Sequence, residues 1–98
     1  TIMTAKPMTL LVIVTEAVLE DILIDEITEL GAHGYTISDG RGRGTHGTRA
    51  GRWTQGGNIR IEVVGSIQLC ERIVARLKEV YEHNYGLLMY TAPIELQN

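Results

Sequence analysis

Hydrophobic residues along this chain recur with two different periods. Residues 8–15, MTLLVIVT, form an unbroken apolar and β-branched run, which reads as a strand buried on both faces. Across EAVLEDILIDEITELG the residues Val18, Leu19, Ile22, Leu23, Ile27 and Leu30 return at steps of three and four. That spacing predicts a helix with one apolar face, its wet side carrying Glu20, Asp21, Asp25, Glu26 and Glu29. Thr15 reads as its N-cap, Glu16 suits the positive end of the helix dipole, and Gly31 reads as the C-cap. GYTISDG, 34–40, is a short second strand. In NIRIEVVG, 58–65, Ile59, Ile61 and Val63 alternate with Asn58, Arg60 and Glu62, the period of a third strand. A second amphipathic helix is expected over 67–83, with Leu69, Ile73, Val74, Leu77, Val80 and Tyr81 inward. NYG, 84–86, is a turn, and 86–96 supplies a last strand in which Pro93 marks a sheet edge or bend.

The resulting order, β-α-β-loop-β-α-β, is the split βαβ pattern. The fold class expected is α+β and ferredoxin-like (βαββαβ): a four-stranded antiparallel sheet with two helices on one face. Residues 1–98 form one domain, with 1–7 as a flexible N-terminus and 40–57 as a long loop between strands 2 and 3. Met3 is read as the natural start, with Thr1 and Ile2 as remnants of expression. Two helices cover one face of such a sheet, and no element remains for the other. A partner subunit is the economical cover, because a large exposed apolar patch is rare on a monomer.

Charge changes the picture at the loop. The formal net charge is −3, yet residues 40–57 hold Arg41, Arg43, Arg49 and Arg52 and no acid, leaving five basic residues against twelve acids elsewhere. A basic loop on an acidic body suggests a local anionic ligand and argues against broad nucleic-acid binding. Glycine-rich turns can present backbone N–H groups to anions, and guanidinium forks match phosphate or carboxylate. Gly42, Gly44 and Gly47 make a formal GxGxxG, but no helix follows it, as a dinucleotide fingerprint requires. Trp53 either packs the loop's root or anchors a protein partner, and the sequence leaves both open. His33, His46 and His83 lack metal-ligand spacing, so no metal site is expected. Cys70 reads as a small hydrophobe on the second helix, and the single cysteine fits a reducing cytoplasm. No signal peptide is visible, and LLVIV is too short to span a bilayer. No catalytic constellation is seen.

The succession of strand, acidic helix, GAHGYTI, long loop, NIRIEVV, helix, HNYG and strand resembles the PII superfamily of trimeric signalling proteins over nearly the whole chain. GYT looks like the family's entry into its T-loop, NIRIEVV like the strand that closes it, and HNYG like the B-loop that touches nucleotide phosphates. The loop has no tyrosine for uridylylation, the glycine-rich B-loop lysine is missing, and no arginine follows the last strand. These departures count against 2-oxoglutarate as a ligand. VIVTE, GAxGYT, the Gly-Arg-Gly loop and the NIRxE pattern look closer to the PII-like branch linked to bicarbonate uptake and carboxysomes.

What the resemblance implies is a cytoplasmic homotrimer that binds ADP or AMP, with ATP or cyclic AMP as further possibilities, in clefts between subunits. Bicarbonate is the implied second ligand, and no tightly bound cofactor is expected. By position, Gly34, Tyr35 and Thr36 would line the adenosine, and Glu62, Val63 and Val64 the adenine edge. Asn84, Tyr85 and Gly86 would face the phosphates. Arg43 and Arg49 would approach phosphate or a small anion, with Arg41, Arg43 and Arg60 as the bicarbonate set. Arg49, Arg52 and Trp53 would meet a protein partner, a transporter or carboxysome-associated protein. Arginine lets an anion order a glycine-rich loop, and the loop's shape reports the ligand. That is a sensor and not an enzyme. A small phosphatase or nucleotide hydrolase on the same fold, or a divalent-cation tolerance-type trimer, are the competing classes.

Overall fold

In the computed structural model, which describes residues 5–42 and 57–98, four strands form one antiparallel sheet in the order β2-β3-β1-β4. β1 is Lys6–Glu16, β2 is Thr36–Gly40, β3 is Asn58–Gly65 and β4 is Leu87–Leu96. Helix α1 (Glu20–Glu29) connects β1 to β2, and α2 (Ile67–Val80) connects β3 to β4. This is the expected ferredoxin-like arrangement. Lys6 and Pro7, expected to be flexible, instead pair with Leu96 and Glu95 of β4. Pro93 lies in β4, an edge strand, where a missing N–H costs no ladder bond on the open side.

Side-chain alternation sorts the sheet into two faces. Leu11, Ile13, Ile59, Ile61 and Val63 meet Leu19, Leu23 and Ile27 on the α1 side and Leu69, Cys70, Ile73 and Leu77 of α2 in one buried core. Cys70 is buried there, as a small hydrophobe, with its thiol 3.8 Å from the Thr9 carbonyl. Gly65 allows this closeness: a Cβ at that position would stand 2.7 Å from Leu69 Cδ2.

The first helix departs from its expected start. Thr15 does not cap it, because β1 continues to Glu16 and Thr15 points into the interior, fully buried. Glu16 precedes a 3-10 turn, Ala17–Leu19, and its side chain makes no cap hydrogen bond. The tighter period of that turn breaks the helical phase, so Val18 is 73% exposed. The buried stripe is Leu19, Leu23 and Ile27, and Ile22 sits on its flank, exposed. At the other end Gly31 terminates the helix at φ +117°, with its N–H on the Thr28 carbonyl and that of Ala32 on the Ile27 carbonyl. Helix α2 begins at Ser66, whose Oγ accepts the Leu69 N–H at 3.1 Å. It ends at Val80, three residues earlier than expected, and Val80 itself is exposed.

A polar clasp joins the two helices on their outer side. Glu26 accepts from Arg76 Nε at 3.2 Å and from the Tyr81 hydroxyl at 2.7 Å. Burial, and then the hydrogen bond to the Glu26 carboxylate, push the Tyr81 phenol up to about 12. In the unfolded chain that phenol titrates near pH 10. Between about pH 10 and pH 12 the folded state keeps a proton the unfolded state has lost. This contribution to stability is therefore complete below pH 10 and declines as pH rises towards 12. Denaturant unfolding of wild type and Tyr81→Phe at steps from pH 9 upward should show a steeper alkaline loss in wild type. Parallel curves would mean the clasp does not hold the proton.

Candidate functional site

Expected site residues fall on three parts of the chain. Gly34 and Tyr35 are exposed and lie just before β2, which begins at Thr36 and not at 34. Thr36 pairs with Glu62, and pairing of β2 with β3 stops there. Beyond that point Val63, Val64 and Gly65 pair with β1 alone among the described strands. A stretch of β3 edge is thus left beside Gly34 and Tyr35, and its backbone groups on that side have no strand partner. Val63 is oriented against the expectation of a side-chain contact: it is fully buried in the helix-side core. Val64 points to the opposite face and is 40% exposed.

The turn after α2 is the second part. Its polypeptide is fastened to the end of β1: Thr15 Oγ1 donates to the Gly86 carbonyl at 2.6 Å, and the Gly86 N–H donates to Glu16 Oε2 at 2.6 Å. Tyr85 packs its ring 6.4 Å from that of Tyr81 and lies against the core. Asn84 is exposed at the tip, its N–H on the Tyr81 carbonyl at 3.2 Å.

The loop root is the third part. Gly40 and Asn58 face each other as the last and first residues of β2 and β3, and the Gly57 carbonyl accepts the Ala17 N–H at 3.0 Å. Asn58 is 8% exposed, and among the described residues its Oδ1 has no hydrogen-bond partner. An acceptor buried without a donor costs about 1–3 kcal/mol. Arg41 is exposed just outside β2. Arg43, Arg49, Arg52, Trp53 and His46 lie outside the described residues.

Arg60 has an occupation of its own. Its guanidinium bonds Glu62 at 2.8 and 2.9 Å and reaches across β1 to the Tyr90 hydroxyl at 3.0 Å. Val12 lies between Glu62 and Tyr90 in register and is 1% exposed, although no helix covers that face. The bridge accounts for its cover. Arg60, expected as an anion contact, is thus held by Glu62 and Tyr90 in this chain.

Geometry separates the parts. Gly34 to Thr36 flank one edge strand, β2, whereas the 84–86 turn leads into the other, β4. Two strands lie between, so these edges are about 14 Å apart at ordinary strand spacing. Among the described residues no group of three or more His, Cys, Asp or Glu is placed to hold a metal ion. No helix of the described residues is long and apolar enough to cross a membrane.

The family model for nitrogen regulatory protein P-II matches residues 8–96. This chain belongs to the P-II family. Among solved structures it is similar to TTHA0516 of Thermus thermophilus, a proposed PII-like signaling protein. That match has 36% identity over 96% of this chain and 92% of the other, with a TM-score of 0.81. It is also similar to CPII of Thiomonas intermedia, a nitrogen regulatory PII-like protein. In its form bound to ADP and bicarbonate, CPII shows a TM-score of 0.80 and 20% identity, over 99% of this chain and 95% of that one. In the form bound to ADP, AMP and bicarbonate the TM-score is 0.78, again at 20% identity, over 96% and 97% of the two chains. The likeness to CPII is one of fold. Thr15 and Glu16 end the VIVTE segment, and sequence reasoning gives their side chains a role only at a helix start. Their contacts to Gly86 cross about seventy positions of chain, and no local periodicity signals them.

Proposed function

We propose that this P-II family chain is a cytoplasmic homotrimeric sensor of adenine nucleotides, with ADP or AMP as its main ligands and ATP or cyclic AMP as further ones. Bicarbonate is its second ligand, and its output passes through the T-loop, residues 40–57, to a transporter or carboxysome-associated protein. The observation that carries this reading is the separation of the two candidate surfaces. Gly34, Tyr35, Thr36 and the free β3 edge at Val63 and Val64 stand on one side of the sheet, and Asn84, Tyr85 and Gly86 on the other. One small ligand touching both must lie between two copies.

Gly34 supports the same placement. A Cβ there would meet no described residue within 4 Å, so packing among the described residues does not require glycine. A close-fitting ligand or second copy does give a reason for it. The backbone of Val64 on the unpaired edge suits the polar rim of adenine. Asn58 Oδ1 offers an acceptor at the root of the T-loop, which a bound ligand or an ordered loop can satisfy. Arg41, Arg43 and Arg49 carry the positive charge for phosphate and bicarbonate, and Arg49, Arg52 and Trp53 the partner contact. Arg60 holds Glu62 in place and takes part in anion binding only if Glu62 releases it. CPII, of the same fold, has been seen with ADP and bicarbonate together. Signalling needs reciprocal coupling between ligands and not hydrolysis.

Calorimetric titration with ADP, AMP, ATP and cyclic AMP, each with and without bicarbonate, tests the reading. One nucleotide should bind per chain, and bicarbonate should tighten it by about fivefold or more, the ordinary size of allosteric coupling. Binding indifferent to bicarbonate would remove the second ligand. No nucleotide binding at all would overturn the proposal.

A further inference from the structure

The Gly86 peptide is gripped by consecutive residues of β1. Thr15 is fully buried, Gly86 is buried, and both hydrogen bonds, from Thr15 to the carbonyl and from the N–H to Glu16, measure 2.6 Å. The N–H that a glycine turn would offer an anion is already given to a carboxylate. That carboxylate is a fixed negative charge at the turn. Its neighbour in register on β3 is the neutral Asn58, and Arg60 on the same face is engaged by Glu62 and Tyr90. Among the described residues no basic side chain forms an ion pair with Glu16.

We infer that Glu16 sets how much negative charge the site accepts, and so selects among nucleotides by phosphate number. The inference rests on the proposed reading that the 84–86 turn faces the phosphates. A phosphate arriving at Gly86 either abuts the Glu16 carboxylate or displaces it from the N–H. At a partly screened surface, one further unit of like charge several ångströms away is disfavoured on the order of tenfold. AMP and ADP suffer this least and ATP most. Glu16 is thus a specificity-determining residue. It does not strengthen binding, and its role shows as a ratio between ligands. The next residue, Ala17, bonds the Gly57 carbonyl, so a displaced Glu16 also disturbs the root of the loop.

The test is Glu16→Gln, which keeps an oxygen to accept the Gly86 N–H and removes only the charge. AMP, ADP and ATP affinities are measured by calorimetry for wild type and variant at one ionic strength. The ATP-to-AMP affinity ratio is expected to rise by about tenfold to a hundredfold, since ATP carries about two further units of charge, with AMP affinity changed least of the three. Glu16→Ala, lacking charge and acceptor alike, must move the ratio the same way, and it serves if the glutamine variant does not fold. An unchanged ratio, or an equal fall for all three nucleotides, would mean that Glu16 only braces the turn and would overturn the inference. Failure of the wild type to bind any nucleotide would instead remove the functional reading beneath it, and the inference with it.

Discussion

Replacing Ile61 with alanine is expected to destabilise the chain by about 3–5 kcal/mol. Ile61 is fully buried at the middle of β3, directly opposite Ile13 of β1 and Ile37 of β2. Its side chain lies between the sheet and both helices, in the single buried cluster. Truncation removes the transfer energy of its lost methyl groups and leaves a cavity. Neighbours on a sheet held from both sides cannot collapse into it. A domain of this size has about 5–15 kcal/mol in all, so the loss takes a large share of the total. Urea unfolding at several protein concentrations measures it, with Ile61→Val as the graded control at about 1 kcal/mol. A loss below about 1 kcal/mol for alanine would show that β3 is not central to the core.

The position of Ile61 was legible without coordinates because a strand writes its two faces into alternate residues. Ile59, Ile61 and Val63 declared one face, and Asn58, Arg60 and Glu62 the other. Gly31 was equally plain, since few residues other than glycine adopt φ +117° at a helix end. The first helix is less legible. A helical count placed Val18 and Ile22 inward, but a 3-10 turn ahead of α1 altered the phase, and a three-residue turn has no period long enough to be seen in a sequence. Thr15 departs from its expected role for a related reason. A threonine before an acidic helix suits a cap, and only the approach of Gly86, far along the chain, gives its hydroxyl another acceptor.

The candidate site divides along the same line. Its members were named from a succession of short segments, and succession cannot say what each side chain is already doing. Arg60 looked like a free cation at the foot of a basic loop. Its own strand gives it Glu62, two residues on and on the same face, and cross-strand register brings Tyr90 from two strands away. The resemblance groups Val63 with Glu62 and Val64 at the adenine edge, although the alternation of β3 already sets its side chain on the core face, where it is fully buried. The unpaired edge of β3 was invisible too, because it depends on where β2 stops and not on what β3 contains. Local pattern carries the elements, whereas pairing between distant segments carries the chemistry.

The open face of the sheet leads to the other large effect. Leu88→Asp is expected to convert the proposed trimer into single chains. Leu88 is 41% exposed in the isolated chain, in the rung that holds Val14 and Arg60. On the same face stand Tyr90, two residues on, and Val64, further along the sheet, 45% and 40% exposed, with no helix of the described residues over them. A carboxylate at an already exposed position costs the folded single chain little, within about 0.5 kcal/mol for surface sites. The same carboxylate enclosed between copies loses its hydration, and Arg60 beside it is committed to Glu62 and Tyr90. An unpaired charge enclosed in this way costs about 3–5 kcal/mol, and in a trimer the penalty recurs in every copy. Light scattering should then give a mass near 10.9 kDa in place of three times that value. Nucleotide binding should fail in the same sample, because the proposed cleft takes its two surfaces from different copies. Val18→Asp places an identical charge on an exposed site beside the helices and should leave mass and binding unchanged. A Leu88→Asp protein that keeps the wild-type mass would show that the open face is not where copies meet, and the cleft between copies would have to be built from the strand edges alone.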